Sequence, residues 1–458
     1  MRRITGTTIY GYVACPRQVE LDLHLDRARR RKLTAGEELV RQRGRDLEAA
    51  RVLPLAYPEP EYERADYESG AKATLTFLRA GVAGVAQGVL REGDLLGIPD
   101  LLRREVGASE LGDFHYVVGD IKSSAGARAD QVLQVAFYSR LLGRLQGRVP
   151  EYGYLSLKDG REERFALAEL DPVLDDVLAR VRDLARGDGE RERAFLAFGC
   201  RRCHWSELCG AALAEREDLS LLAGMTRGLR TTLEACGVRK VRDLLAPGVE
   251  RIVRKAQLEA ALVRQLQLAA RAFVAQEPLD AHGGPGEPEA EAAVVHFAYD
   301  AFAERVLCFG AAWRDGEREA SAVFVPQPGE AWAAFQELLA AVPAGVRLAH
   351  WGPGLPAWFQ RAADDHVGDI DLHGRFVDLA RRLRARAAFP GPVFTLRDAV
   401  RLGLGRDPDR QGDEDEAPLW AVAPDGEARL RAKMSADLGD LIELLRRWLP
   451  TVVAGAAP

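Results

Sequence analysis

Phe114-His115-Tyr116-Val117-Val118-Gly119-Asp120-Ile121-Lys122 decides how the first half of this chain folds. Its apolar centre lacks the alternation of a half-exposed strand, so the segment predicts a strand buried inside a sheet. It closes on Asp-x-Lys. In an extended strand, side chains at i and i+2 share a face about 6.6 Å apart, which sets Asp120 and Lys122 side by side. On a surface such a pair needs no explanation, but at the end of a central strand it is costly unless something uses it. The chain holds seven lysines against 56 arginines, so a lysine here departs from its habit.

A carboxylate beside an ammonium suits phosphodiester chemistry: the Asp binds Mg²⁺, while the Lys polarises water and offsets phosphate charge. A single Asp holds Mg²⁺ poorly, so further acids should converge. Asp100, in Gly97-Ile98-Pro99-Asp100, ends the preceding strand and would lie beside Asp120 in an antiparallel pair. Glu48, in Gly44-Arg45-Asp46-Leu47-Glu48 on the second helix, is the third candidate. Downstream, Gln131-Val132-Leu133-Gln134-Val135-Ala136-Phe137-Tyr138 opens an amphipathic helix. Gln134 and Tyr138, four apart, share one of its faces and are placed to orient a nucleic-acid strand or the lysine.

Outward from this strand, the apolar spacing predicts helices over 7–24, 33–51 and 71–80, and strands over 84–91 and 95–101 joined by the turn Glu92-Gly93-Asp94. Beyond it come a helix over 128–145, a hairpin of 151–158 with 163–167, and helices over 170–186 and 190–197. The order predicts an α/β domain with a mixed sheet over residues 1–215. Residues 216–276 read as helical. Two glycine-bearing turns there, at Gly224 and Gly237, suit either a helix-hairpin-helix that cradles phosphate or plain helix C-caps. Pro278, Gly283, Gly284, Pro285, Gly286 and Pro288 mark 277–292 as a linker. Strands over 293–297, 306–313 and 320–325, followed by alternating helices and short strands, predict a second α/β domain over 293–454. Within it, residues 406–416 carry six acids and two arginines and read as a solvated loop.

The 458 residues carry 63 Lys+Arg, 69 Asp+Glu and a formal charge of −6, which does not by itself suggest a nucleic-acid partner. The first 50 residues, however, hold eleven basic residues against seven acidic ones, and steering depends on the local field. No apolar run is long enough to span a membrane. The start lacks a secretory h-region, so a cytoplasmic protein without a membrane partner is expected.

Three of the six cysteines fall within ten positions, as Cys200-x₂-Cys203-x₅-Cys209. Three thiolates grip one side of a metal centre and a fourth closes it. Cys15, just ahead of the segment that the cluster follows, is the best fourth ligand. By spacing alone, a [4Fe–4S] cluster and a structural zinc are about even, with His204 as another zinc ligand. Cys236 and Cys308 lie in apolar contexts and are expected to be plainly buried.

Taken in order, Cys15, Glu48, Asp100, Asp120-x-Lys122, Gln134-x₃-Tyr138 and the Cys200–Cys209 frame resemble the RecB-like PD-(D/E)XK nucleases with an iron–sulfur cluster, a group related to CRISPR-associated exonucleases. The resemblance covers residues 1–215 and implies a restriction-endonuclease-like core. It makes Glu48, Asp100 and Asp120 ligands of Mg²⁺ or Mn²⁺, Lys122 the catalytic lysine, and Gln134 and Tyr138 a helix motif of the site. It makes Cys15, Cys200, Cys203 and Cys209 the ligands of a [4Fe–4S] cluster and favours it over zinc. The substrate it implies is DNA, single-stranded by preference; an RNA-processing nuclease and a nucleic-acid-binding adaptor with weak or no cleavage are the alternatives. Many such nucleases have His just before the first acid, where this chain has Leu47. Residues 293–454 resemble the RNase H-like, DnaQ-type domain of YprB-like proteins. The expected Asp-x-Glu of its first strand reads Ala298-Tyr299-Asp300 here; Asp378 and Asp437 remain, so a degenerate, non-catalytic module is expected.

Overall fold

The computed structural model describes residues 3–449 except 188, 190, 249–251, 253, 254, 256, 282–291, 316, 317, 367–371, 373 and 408–415. Most of the expected 277–292 linker and of the acidic 406–416 loop lies outside the described residues. The chain is an α/β protein with mixed sheets and forms two compact units. The first is Met1–Leu33, Glu38–Ala194 and Cys203–Ser206, and the second is Thr34–Glu37, Phe195–Arg202 and Glu207–Pro458. Residues 195–202 and 207–276 therefore group with the C-terminal half.

In the first unit, the single helix expected over 7–24 is two, α1 (Gly6–Ala14) and α2 (Pro16–His24). Pro16 disfavours helical backbone at the residue before it, and Cys15 accordingly sits extended at φ −161°. Pro16 itself opens α2, where its missing N–H costs nothing. Helices α3 (Ala35–Val52) and α4 (Tyr67–Arg79) follow. The strands are β1 (Ile4–Thr5), β2 (Gly84–Ala86), β3 (Leu90–Glu92), β4 (Leu95–Gly97), β5 (Leu101–Ser109), β6 (Gly112–Ile121), β7 (Tyr152–Ser156) and β8 (Glu162–Ala166). The two strands expected over 84–101 are in fact shared between two sheets. β3 and β4 pair across the expected turn and join β1, whereas β2 joins the main sheet, ordered β2-β5-β6-β7-β8. β5 escaped the sequence reading because Arg103, Arg104 and Glu105 break its apolar pattern on a partly exposed surface.

β6 is the central strand that its sequence predicts: Tyr116, Val117 and Val118 have no exposure. It runs antiparallel to β5 and parallel to β7. Helix α5 (Ala129–Gln146) supplies the crossover that a parallel pair requires. Its Val135, Phe137 and Leu142 complete the core with Leu174, Leu178 and Val181 of α6 (Asp171–Arg186). β6 meets β7 only from Gly119 to Ile121. Before that point the carboxamide of Gln146 substitutes for a strand. Its Oε1 accepts the Tyr116 N–H at 2.8 Å, and its Nε2 donates to the carbonyls of Tyr116 at 3.0 Å and Arg148 at 2.9 Å.

The helix expected over 190–197 does not form over its described residues, 191–197. The N–H groups of Arg191 and Glu192 donate instead to the carboxylate of Glu20, at 2.6 and 3.0 Å, and Arg17 binds the same fully buried side chain at 2.7 Å.

The second unit includes α7 (Ser206–Glu215) from Glu207 on, α8 (Arg227–Ala235) and α9 (Ala260–Ala275). Gly237 (φ +90°) ends α8 as a Schellman cap, its own N–H bonding Glu234 and that of Val238 bonding Leu233, both at 3.0 Å. Those amides are internal, so the C-cap alternative holds at Gly237. The first residues of the expected linker form strand β9 (Leu279–Asp280) against Ala387–Ala388, with Arg386 bonded to Asp280 at 2.8 Å. This pairing corrects a reading based on Pro and Gly content alone. The sheet of this unit contains β10 (Ala292–Asp300), β11 (Arg305–Asp315), β12 (Arg318–Phe324), β13 (Arg347–His350) and β14 (Phe376–Asp378), ordered β12-β11-β10-β13-β14. The first three strands are antiparallel, and β13 and β14 run parallel to β10. Separate apolar clusters cover its two faces, one around Met434 and Leu438 and the other around Phe335 and Trp358.

Gln146→Leu keeps the side-chain volume but leaves the two buried backbone groups of Tyr116, and the part-buried Arg148 carbonyl, without this partner. It is expected to lower unfolding stability by about 3 kcal/mol, read as a lower urea midpoint with unchanged slope.

Candidate active site

The end of β6 carries the site. Asp120 is 2% exposed, and its Oδ2 is paired with the Lys122 ammonium. The Lys122 N–H bonds the Ser156 carbonyl at 2.9 Å, which extends the β6–β7 contact one residue beyond the strand and fixes the lysine backbone. Asp100 immediately precedes β5 rather than ending the strand before it. One residue before the Leu101–Gly119 pair, it lies next to the Asp120 segment, and its Oδ2 accepts the Ile121 N–H at 2.7 Å. Glu48 comes from the last turns of α3. Arg51 of that helix donates to the Lys158 carbonyl at 3.0 Å, securing its end against the β7–β8 turn. The sequence-expected residues Glu48, Asp100, Asp120 and Lys122 are thus brought together from one helix and two strands.

Gln87, between β2 and β3, is part of the same group and no spacing rule pointed to it. Its Nε2 donates to Glu48 Oε1 at 2.5 Å and to Asp100 Oδ1 at 3.2 Å, while its N–H donates to the Asp100 carbonyl at 3.1 Å. Its backbone is left-handed, at φ +50°, a region that costs a non-glycine residue about 1–3 kcal/mol. A polar residue inside Gly84-Val85-Ala86-Gln87-Gly88 was the available signal.

The electrostatics of the group are those of excess negative charge. Burial, then Asp120 and Glu48, push the Asp100 carboxyl well above its ordinary range. Burial and Asp120 raise Glu48 in the same way, with Lys122 opposing them. Burial alone would lower Lys122, but Asp120 and Asp100 hold its ammonium above the usual lysine range. Among the described residues, the cation acting on all three acids is Lys122. Hard oxygen donors with a surplus of charge fit Mg²⁺ or Mn²⁺. As they stand, no group of three or more His, Cys, Asp or Glu side chains among the described residues has the disposition of a metal site. The Gln87 amide lies between two of the three carboxylates.

Gln134 and Tyr138 join the site from α5. Gln134 Nε2 donates to Tyr138 Oη at 3.0 Å, and Gln134 Oε1 is buried with no hydrogen-bond partner among the described residues. Burial, Asp120 and Asp100 all push the Tyr138 phenol far up, so it stays protonated. Its ring fills the space over Gly6 and Gly97: a Cβ on Gly6 would stand 2.2 Å from Tyr138 Oη, and one on Gly97 would stand 2.7 Å from the ring.

No disulfide involves the cysteines, and Cys15, Cys200, Cys203 and Cys209 are all half-buried. Cys15 and Cys203 belong to the first unit, Cys200 and Cys209 to the second. Backbone N–H groups point at two of the sulfurs, Ala197 at Cys200 and Trp205 at Cys203, both at 3.4 Å. His204, the alternative zinc ligand, is engaged elsewhere: its Nε2 lies 2.8 Å from Asp22, which also accepts the Trp205 indole N–H at 2.7 Å. Cys308 is fully buried, its thiol pushed up to about 12 by burial. Cys236, expected to match it, is half-exposed because it falls on the C-cap of α8.

The acids of the second unit are occupied locally. Asp300 accepts the N–H groups of Phe302 and Ala303, both at 3.0 Å. Asp378 caps the helix Leu379–Arg386 through the Arg381 N–H at 3.1 Å. Asp437 pairs with Lys433 at 2.9 Å and with His296 at 3.7 Å. Arg406, which the sequence places in a solvated loop, binds Asp440 and Glu443, both at 2.6 Å.

No protein-family model and no curated protein matches this chain.

Gly6→Ala is expected to displace Tyr138 from Gln134 and to cost about 2 kcal/mol by overpacking. Tyr138→Ala in the same chain should recover much of that loss, a coupling that thermal unfolding of the two single variants and the double variant measures.

Proposed function

We propose that the first unit is a metal-dependent nuclease of the RecB-like PD-(D/E)XK class that hydrolyses phosphodiesters of DNA, with single strands as the preferred substrate. The observation that carries this reading is the convergence of Glu48, Asp100 and Asp120 around one ammonium, Lys122, at the end of a buried strand. The five-stranded mixed sheet, with its helical crossover between β6 and β7, is the frame such a site needs. Whole-chain acidity does not oppose it, since residues 1–50 are locally basic.

Glu48, Asp100 and Asp120 would hold Mg²⁺ or Mn²⁺, which when bound supplies Lewis acidity for the attacking water and the departing oxyanion. Lys122, kept protonated by Asp120 and Asp100, brings a positive charge to the phosphate as it becomes more anionic. Tyr138, protonated and tied to Gln134, offers its hydroxyl as a donor beside the acids, and the Gln134 Oε1 remains an acceptor for a substrate group or for Lys122. Leu47, in place of the histidine found in many such enzymes, leaves the ligand set all-carboxylate. Cys15, Cys200, Cys203 and Cys209 would hold a [4Fe–4S] cluster as a structural element, with zinc as the alternative.

For the second unit, the order β12-β11-β10-β13-β14, antiparallel on one side of β10 and parallel on the other, supports an RNase H-like domain of the DnaQ type. The local engagement of Asp300, Asp378 and Asp437 supports a module that binds or scaffolds without cutting. That same observation favours the second reading of the whole chain, a nucleic-acid-binding adaptor with weak or no cleavage.

With Mn²⁺ and matched single-stranded DNA and RNA oligonucleotides, the full chain should cleave DNA faster. Asp120→Asn and Lys122→Ala should each lower the rate by at least about 100-fold. Binding without metal-dependent cleavage would establish the adaptor, and faster cleavage of RNA would reassign the substrate. An anaerobic preparation should be brown, and should lose that colour in Cys203→Ser but keep it in Cys236→Ser.

A further inference from the structure

Helix α3 delivers Glu48 to the site yet contributes almost nothing to a core: of its 18 residues only Gly36 is buried. Arg41, Gly44 and Arg45 precede Glu48 by seven, four and three residues, spacings that place all four on one face of the helix. At 1.5 Å per residue, Arg41 stands about 10.5 Å and Arg45 about 4.5 Å along the axis from Glu48. The face that reaches the acids therefore continues as a row of positive charge. Both arginines are exposed, and neither is in an ion pair among the described residues; Arg45 donates to the Gln42 carboxamide at 2.5 Å. Other exposed arginines of this unit do pair with acids, Arg180 with Asp176 at 2.8 Å and Arg191 with Asp183 at 2.5 Å. Asp46, on the far side of α3, accepts from Gln42 at 2.7 Å.

Gly44 is the second observation. Glycine is the poorest helix former after proline, so one in mid-helix needs a reason. Gly6 and Gly97 have one, the Tyr138 ring that lies on them. Gly44 has no such neighbour, because a Cβ there would meet nothing within 4 Å. One turn before Glu48, the face that points at the site thus borders open space, and a residue without a side chain lets a ligand approach the helix closely.

We propose that this face of α3 is the track along which a single strand of DNA reaches the acids: Arg41 and Arg45 each take a phosphate, and Gly44 gives the strand room to lie against the helix. This rests on the reading of Glu48, Asp100, Asp120 and Lys122 as a nuclease site and adds the path of its substrate. Arginine suits the task, since its planar guanidinium binds phosphate oxygens in pairs. Phosphate contacts position a strand without reading its bases, so the track accepts any sequence.

The test is equilibrium binding of a fluorescent oligothymidylate to the full chain in EDTA over a range of salt concentrations, with thermal unfolding in parallel. The double variant Arg41→Gln, Arg45→Gln is expected to bind about tenfold more weakly at moderate salt. The slope of log affinity against log salt should fall by about 1.4, or about 0.7 for each phosphate contact on a single strand. Gly44→Gln should melt no lower than wild type, because glutamine is the better helix former, yet bind about tenfold more weakly. Arg43→Gln removes the same charge from the opposite side of α3 and should bind within about twofold of wild type. An equal loss in Arg43→Gln and in the double variant would overturn the track in favour of general charge attraction. Weaker binding with a lower melting temperature in Gly44→Gln would overturn it in favour of a packing role for the glycine. If the double variant and Gly44→Gln both bind like wild type, the track is wrong and the nuclease reading stands. If wild type neither binds the oligonucleotide nor cleaves it with Mn²⁺, the nuclease reading fails and the track with it.

Discussion

Three carboxylates share one ammonium at the end of β6, and burial magnifies their mutual repulsion. Two such charges ~6 Å apart repel by roughly 3 kcal/mol at an effective dielectric near 20. Most of the surrounding structure answers that constraint. Asp100 accepts the Ile121 N–H, Glu48 and Asp100 accept from Gln87, and Asp120 is paired with Lys122. Each contact also ties one element to another: β5 to β6, α3 to the β2–β3 turn, and the end of β6 to itself. The charge gathered at the end of β6 therefore also organises the elements around it.

The supports around this group follow the same logic of spending side chains where backbone pairing runs out. Gln146 completes β6 where β7 no longer reaches it. Glu20 gathers two amides of the 191–192 segment, and Asp22 gathers His204 and Trp205. A buried polar side chain that satisfies several partners stabilises one arrangement over its competitors, because losing it strands them all. The two glycines under Tyr138 work by absence: only residues without Cβ let the ring lie beside the acids.

Periodicity made the strong elements legible. Tyr116-Val117-Val118 announced a central strand, and α5 and α6 fell where their apolar spacing put them. The reading faltered where local pattern and tertiary contact disagree. Charged residues hid β5, and Pro16 split a helix whose apolar pattern runs straight through it. Residues 191–197 are not helical, with two of their amides bonded to Glu20, and β9 formed inside a stretch read as linker. Within the site, Asp100, Asp120, Lys122, Glu48, Gln134 and Tyr138 could be named from motif spacing. Gln87 could not, because its role depends on a turn conformation and on two partners 39 and 13 positions away.

By itself, the sequence determined the residue chemistry: an Asp-x-Lys on a buried strand, acids within reach of it, thiols grouped in ten residues, and a first segment more basic than the whole. Those properties are carried by residue types and local periods, which survive any arrangement of the chain. Only the tertiary structure decided which acids share one ammonium and which are engaged elsewhere. It set Glu48 and Asp100 on either side of one amide, and it committed Asp300, Asp378 and Asp437 to a turn, a helix cap and an ion pair. The physical reason is that electrostatic interaction depends on separation and burial in space, and neither quantity is a function of spacing along the chain.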